Sequence, residues 1–169
     1  MPADLTTVLG RLLSERGLRD GLRRDPEGLA RELDVEPSWL EGLNFDDLHA
    51  QAEALLNKRF EEVSRILPQT LSLLGATAVE VFRAHAEGFW PAGHRRHVED
   101  ALAFGRFLEA RGLPCSASEL HRLRFSSGRE RLSLRWVSDA LAGGRRRRAL
   151  QVLYRRWGVV HSLAFYLGF

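Results

Sequence analysis

Arg145 to Arg148 form an unbroken cationic run, and Arg155 and Arg156 follow shortly after. Planar guanidinium forks grip phosphate and carboxylate oxygens, so six of them this close in sequence point to anion binding. Arg122, Arg124, Arg129, Arg131 and Arg135 lie nearby. From residue 121 onward, 11 arginines face only Glu130 and Asp139, a net of +9. Residues 1–120 carry 14 basic against 20 acidic residues, a net of −6. Two surfaces of opposite sign imply different partners for the two ends of the chain. The alternative is a solvated loop in an arginine-heavy protein, since Lys58 is the one lysine among 25 basic residues. Two acids cannot neutralise that many arginines, and we expect an anionic partner.

Other chemistry-bearing patterns are weaker. His94-x-x-His97-x-x-Asp100 would place two imidazoles and a carboxylate along one side of a helix, as a divalent metal needs. Arg95 and Arg96 add positive charge there, and a histidine pair near a helix start also serves as a surface or capping feature. No metal site is expected. His85, His121, His161 and Cys115 show no nucleophile–base arrangement, and Ser72, Ser116 and Ser162 have no motif around them. No catalytic residue is assigned and no cofactor is implied. Leu29 to Leu43 superficially matches a helix-turn-helix. However, Glu36, Glu41, Asp46 and Asp47 would repel the phosphates that its second helix must approach. Phe89-Trp90-Pro91 groups large aromatics in a loop, either as a plug between helices or as an anchor for a protein partner. Phe89, Trp90, Arg95 and Arg96 are the candidate partner interface.

These residues are carried mainly on helices. Asp4 can cap a first helix bearing Leu5, Val8, Leu9, Leu12 and Leu13, closed by Gly17. A short turn with Leu18 and Leu22 follows. Asp25-Pro26 and Glu36-Pro37 read as helix starts. Asn44 to Leu67 is the longest expected helix, ended or kinked at Pro68. Further helices are expected from Thr77 to about Gly88 and from His94 to Arg111. Ser116-x-x-Glu119 is a capping-box pattern. The period then changes. Leu132 to Trp136 alternates as a half-buried strand does, and Leu150–Tyr154 and His161–Leu167 are further strands. Trp157-Gly158 lies at the hairpin turn between them. Arg122 to Phe125 reads as a possible fourth strand, and Gly143-Gly144 as a turn. The expected fold is α+β, with a helical bundle over 1–121 and a small antiparallel sheet over 122–169 packed on it. A C-terminal helix from Arg145 to Leu163 is the competing reading.

Apolar residues make up 44% and charged residues 28% of the 169, ordinary for a globular chain. No apolar run approaches the length of a membrane span, and the N-terminus lacks a signal-peptide pattern. A single cysteine cannot form an internal disulfide, which fits a cytoplasmic protein.

Two resemblances extend this reading. Asp25 to His49, DPEGLARELDVEPSWLEGLNFDDLH, resembles a small helical module of extradiol dioxygenase alpha subunits and of some precursor-peptide leaders. The stretch from Lys58 to Phe125 contains Lys58-Arg59-Phe60, Leu67-Pro68-x-Thr70, Leu74-Gly75, Phe82, Pro91-x-Gly93 and Asp100-Ala101-x-x-Phe104-x-x-Phe107-Leu108. It is similar to small partner proteins of multinuclear non-heme iron enzymes that modify ribosomally made peptides, the methanobactin type. That resemblance implies a protein without an active site. Such a protein docks on the iron enzyme and holds the leader of a precursor peptide as an added strand. The strand with Leu132, Leu134, Arg135 and Trp136 would receive the leader, and the arginines would attract acidic residues. A nucleic-acid-binding or regulatory protein using the basic end is the alternative function, and a dioxygenase alpha-like subunit a third.

Overall fold

The computed structural model describes residues 4–142 and 145–166, and of 140–142 and 145–146 the backbone alone. The expected turn at Gly143-Gly144 and the strand end at Leu167 lie outside the described residues. Nine α-helices precede three strands among those residues. They divide into two compact units, one of residues 1–60 and 83–90, the other of 61–82 and 91–169.

In the first unit, α1 (Leu5–Ser14) starts at Asp4, whose carboxylate accepts from the Thr6 N–H and the Thr7 hydroxyl. The helix ends before Gly17, at an extended Glu15, and α2 (Arg16–Arg24) begins at once. Leu18 and Leu22, expected in a turn, are therefore on a helix. Their four-residue spacing puts both on its buried side. Asp25 caps α3 (Pro26–Leu33) by accepting from the Gly28 N–H at 2.8 Å, with proline at the first helical position. The short α4 (Pro37–Glu41) follows, then α5 (Phe45–Ile66), whose first N–H groups are met by Asn44 Oδ1. Val8, Leu12, Leu18, Leu22, Leu29, Leu33, Leu40 and Leu48 form the core of this unit.

The second unit contains α6 (Pro68–Leu74), α8 (Arg96–Ala110), α9 (Ala117–Ser127) and the sheet, while α7 (Ala78–Ala86) contributes to both units. Phe82 and Phe104 meet edge to face at 5.3 Å. The capping box forms only by half: Ser116 Oγ accepts from the Glu119 N–H at 3.2 Å. The Glu119 side chain reaches instead to the start of α6. Its buried carboxylate accepts from the Gln69 and Thr70 N–H groups, both at 2.8 Å, and from the Thr70 hydroxyl at 2.9 Å. Thr70 Oγ1 in turn accepts from the Ser116 N–H. One carboxylate thus serves a helix start 49 and 50 residues away. Gly105 lets α9 come close, since a Cβ there would stand 2.5 Å from Leu120 Cδ2.

Arg122 to Phe125 is not a strand. It lies inside α9, where Leu120, Leu123 and the i+2 neighbour Phe125 are buried by helix and sheet packing together. The change to extended structure comes at Leu132. Strands β1 (Leu132–Ala142), β2 (Arg145–Arg156) and β3 (Val159–Tyr166) form an antiparallel sheet in sequence order, so no helix runs from Arg145 to Leu163. Trp157 (φ 50°) and Gly158 (φ 79°) make the two-residue turn between β2 and β3, with both residues left-handed as the strand twist requires. No helix of the described residues is long and apolar enough to cross a membrane.

Removing the Glu119 carboxylate leaves two helix-start N–H groups and a hydroxyl buried without acceptors. We expect Glu119→Ala to lower unfolding free energy by about 3 kcal/mol, read by urea denaturation.

Candidate functional site

The sheet has two unlike faces. Alternation along paired strands places Ser133, Arg135 and Val137 of β1 with Ala149, Gln151, Leu153 and Arg155 of β2 on the side that carries α9. Val137, Ala149, Gln151 and Leu153 are buried there. The opposite face is a grid of three rows. Leu132, Tyr154 and His161 form the first, Leu134, Val152 and Leu163 the second, and Trp136, Leu150 and Phe165 the third. Its outer columns are open: Leu132 and Leu134 are each 57% exposed, Trp136 61%, Leu163 48% and Phe165 58%. The Tyr154 and His161 rings stack at 4.9 Å. A contiguous exposed apolar surface makes this face the candidate binding surface.

Polar side chains set this orientation. Asp139 sits in a β-bulge, where Val137 pairs with Ala149 but Ala140 pairs with Arg147. Two-residue alternation from Val137 puts Asp139 on the α9 side, and its carboxylate accepts from the Ser118 N–H at the start of that helix at 3.2 Å. Midway along the helix, His121 Nδ1 donates to Gln151 Oε1 at 2.8 Å and Nε2 shares a hydrogen bond with the Ser133 hydroxyl at 2.9 Å. At the helix end, Arg155 Nη2 lies 3.0–3.2 Å from the carbonyls of Phe125, Ser126 and Gly128.

The β1 edge is open among the described residues. The Arg155 N–H donates to the Arg131 carbonyl at 2.9 Å, so Arg131 and Arg155 are a hydrogen-bonded pair. Bonded and non-bonded pairs alternate in an antiparallel ladder, so Ser133 and Arg135 bond to β2. The backbone groups of Leu132, Leu134 and Trp136 therefore point to the free edge. These three residues offer an apolar side chain to the open face and an N–H and C=O to an incoming strand.

Of the four expected peptide contacts, Leu132, Leu134 and Trp136 come together. Arg135 does not, since the two-residue alternation turns it to the helix side. The arginine cluster is thinner than its sequence suggests. Arg147, Arg148 and Arg156 are exposed, and Arg148 and Arg156 share parity with the apolar grid at its two ends. Arg156 also lies 4.1 Å above the Trp157 ring. Arg155 is committed to the carbonyls ending α9. Its Nη2 is thereby engaged within the protein, while its Nε is buried with no hydrogen-bond partner among the described residues. The side chains of Arg145 and Arg146 lie outside the described residues. Arg122 and Arg124 are on α9, and Arg124 pairs with Glu109.

Phe89 and Trp90 belong to the first unit, Arg95 and Arg96 to the second. Phe89 is half-buried, stacked on His85 at 5.4 Å, and its carbonyl accepts from Arg59 Nη2. Trp90 lies under the Arg59 guanidinium at 4.9 Å. Arg95 and Arg96 are exposed. His94 precedes α8 while Asp100 is buried within it, so His94, His97 and Asp100 do not share one helix side. No group of three potential metal ligands occurs among the described residues. Burial, with Glu109 and Asp139, pushes the Cys115 thiol up from its ordinary value, away from thiolate chemistry.

Sequence reading missed Leu163, Phe165 and the stacked Tyr154–His161 pair as site residues. Their signal was the period-two alternation of β3, legible once the register of the hairpin is known.

A family model described as the SCO6045-like C-terminal domain matches residues 40–110. That stretch runs from α4 to the end of α8 and stops before α9 and the sheet. No curated protein and no solved structure matches the chain.

Because the grid residues are open to water, their replacement should cost the fold little. We expect Trp136→Ser to change unfolding free energy by less than about 1 kcal/mol, against about 3 kcal/mol for Leu153→Ala on the covered face, both from urea midpoints.

Proposed function

We propose that this is a non-catalytic partner protein whose sheet takes up an extended, acidic segment of a precursor peptide along β1. One observation carries the reading: Leu132, Leu134 and Trp136 present free backbone groups and exposed apolar side chains together. Strand addition needs both, since the backbone supplies affinity and alternate side chains supply selection. The exposed Arg147, Arg148 and Arg156 favour an acidic guest over a basic one. Docking on a multinuclear iron enzyme rests on the resemblance of Lys58 to Phe125 to such partner proteins. The peptide supplies the substrate and the enzyme the chemistry. This chain would bring them together.

Nucleic-acid binding is the second reading, favoured by the net charge of the C-terminal region. Arg155 and Arg124 are engaged within the protein, which weakens it.

The test is fluorescence anisotropy with a labelled peptide of alternating valine and glutamate, and with a labelled oligonucleotide. Leu134→Pro removes an N–H from the free edge without touching the β1–β2 ladder, and should weaken peptide binding about five- to tenfold. Leu134→Ala keeps the N–H and should weaken it less. Tight oligonucleotide binding that falls steeply with salt and ignores Leu134→Pro would reverse the reading. A stable dimer in the ultracentrifuge, dissolved by Trp136→Asp, would instead make the face a self-interface.

A further inference from the structure

The first unit holds a second feature, a cleft of about 340 Å³ formed by α1, α2, α5, α7 and Trp90. That is the size of a small-molecule site. Four guanidiniums line it, those of Arg16, Arg19, Arg59 and Arg83, against the carboxylates of Glu53 and Glu87. The two acids already face arginines. Glu53 receives Arg83 on both oxygens, at 3.0 and 2.6 Å, which holds its carboxyl below the ordinary range. Glu87 lies 3.8 Å from Arg16.

Arg19 is different. It is 7% exposed, and its Nη1 donates to the Leu12 and Leu13 carbonyls at 2.9 Å each, closing the end of α1. Its Nε is buried with no hydrogen-bond partner in the protein. Glu53 and Asp20 act on this guanidinium through space without a hydrogen bond, so a desolvated cation bonded only to neutral carbonyls keeps donor capacity for an anion. Leu13, Leu56 and the half-open Trp90 ring give the cleft an apolar wall, and His49 and Ser14 add further polar groups to its lining.

We infer that this cleft binds a small organic anion, its carboxylate or phosphate held at Arg19 and its apolar body against Leu13, Leu56 and Trp90. The site is separate from the sheet and does not depend on peptide binding there. Arg83, held by Glu53, and the more exposed Arg16 frame the entry with positive charge and leave acceptors for a polar substituent. A bare inorganic ion would use the charge and forgo the apolar wall.

Isothermal titration with phenylacetate, phenyl phosphate, inorganic phosphate and phenethylamine tests this. At least one aromatic anion should bind at about millimolar concentration or below, inorganic phosphate about tenfold more weakly, and the cation not at all. The better of the two anions identifies the head group. Arg19→Gln should weaken that ligand about tenfold or more. Because Arg19 also closes α1, Trp90→Glu provides a second variant, at an exposed position, that places a competing carboxylate beside Arg59. It should weaken binding about tenfold with the melting temperature little changed. Trp136→Asp, on the sheet, should have no effect. Absence of binding by both aromatic anions up to about 10 mM, or equal binding by wild type, Arg19→Gln and Trp90→Glu, overturns the inference.

Discussion

The attachment of α9 to the sheet by polar side chains is the constraint from which the second unit follows. Asp139 meets the first turn of the helix, His121 bridges Gln151 and Ser133 at its middle, and Arg155 gathers the carbonyls at its end. Each link is directional, with a fixed partner at hydrogen-bond distance. Apolar packing around Leu153 and Ala149 would accept several helix positions, whereas these links accept one. A strand side that carries Ser133, Gln151 and Arg155 is therefore the one that is covered. The consistently apolar side is left to water.

The open side is the feature on which the proposed function rests. An isolated sheet normally buries its apolar side and solvates the other. Here a mixed side holding Val137, Ala149 and Leu153 is covered while a second, more uniformly apolar side stays open, and the β1 edge is unprotected beside the exposed residues. Natural proteins blunt such edges with charge, proline or a covering element. Arg135 is the one charge in Leu132–Trp136, and proline is absent there. An edge in this state has the free backbone groups that the proposed strand addition requires. The first unit repeats the theme with a buried guanidinium. Arg19 closes α1 through Nη1 and keeps a buried Nε without a hydrogen-bond partner among the described residues.

Much of this was legible residue by residue. Asp4, Asp25-Pro26, Asn44 and Ser116 act locally, within one helical turn, so their positions follow from the residues beside them. Trp157-Gly158 likewise fixes its own turn. Two local signals misled. Gly17 looked like the close of α1 and the residues after it like a turn, but α1 ends at Glu15 and Gly17 lies inside α2. Arg122 to Phe125 looked like a strand because short apolar alternation fits either period when burial comes from two sides.

The sequence by itself determined that helices precede a sheet at the basic end, the helix starts at Asp4, Asp25, Asn44 and Ser116, and the alternation that groups Leu132, Leu134 and Trp136. These depend on neighbours one to four residues apart. Only the tertiary structure decided which sheet face is open, that Glu119 serves α6 rather than its own helix, and which arginines are engaged. Those outcomes turn on hydrogen bonds between residues up to 50 positions apart, whose formation depends on how helices and strands pack and not on any local spacing.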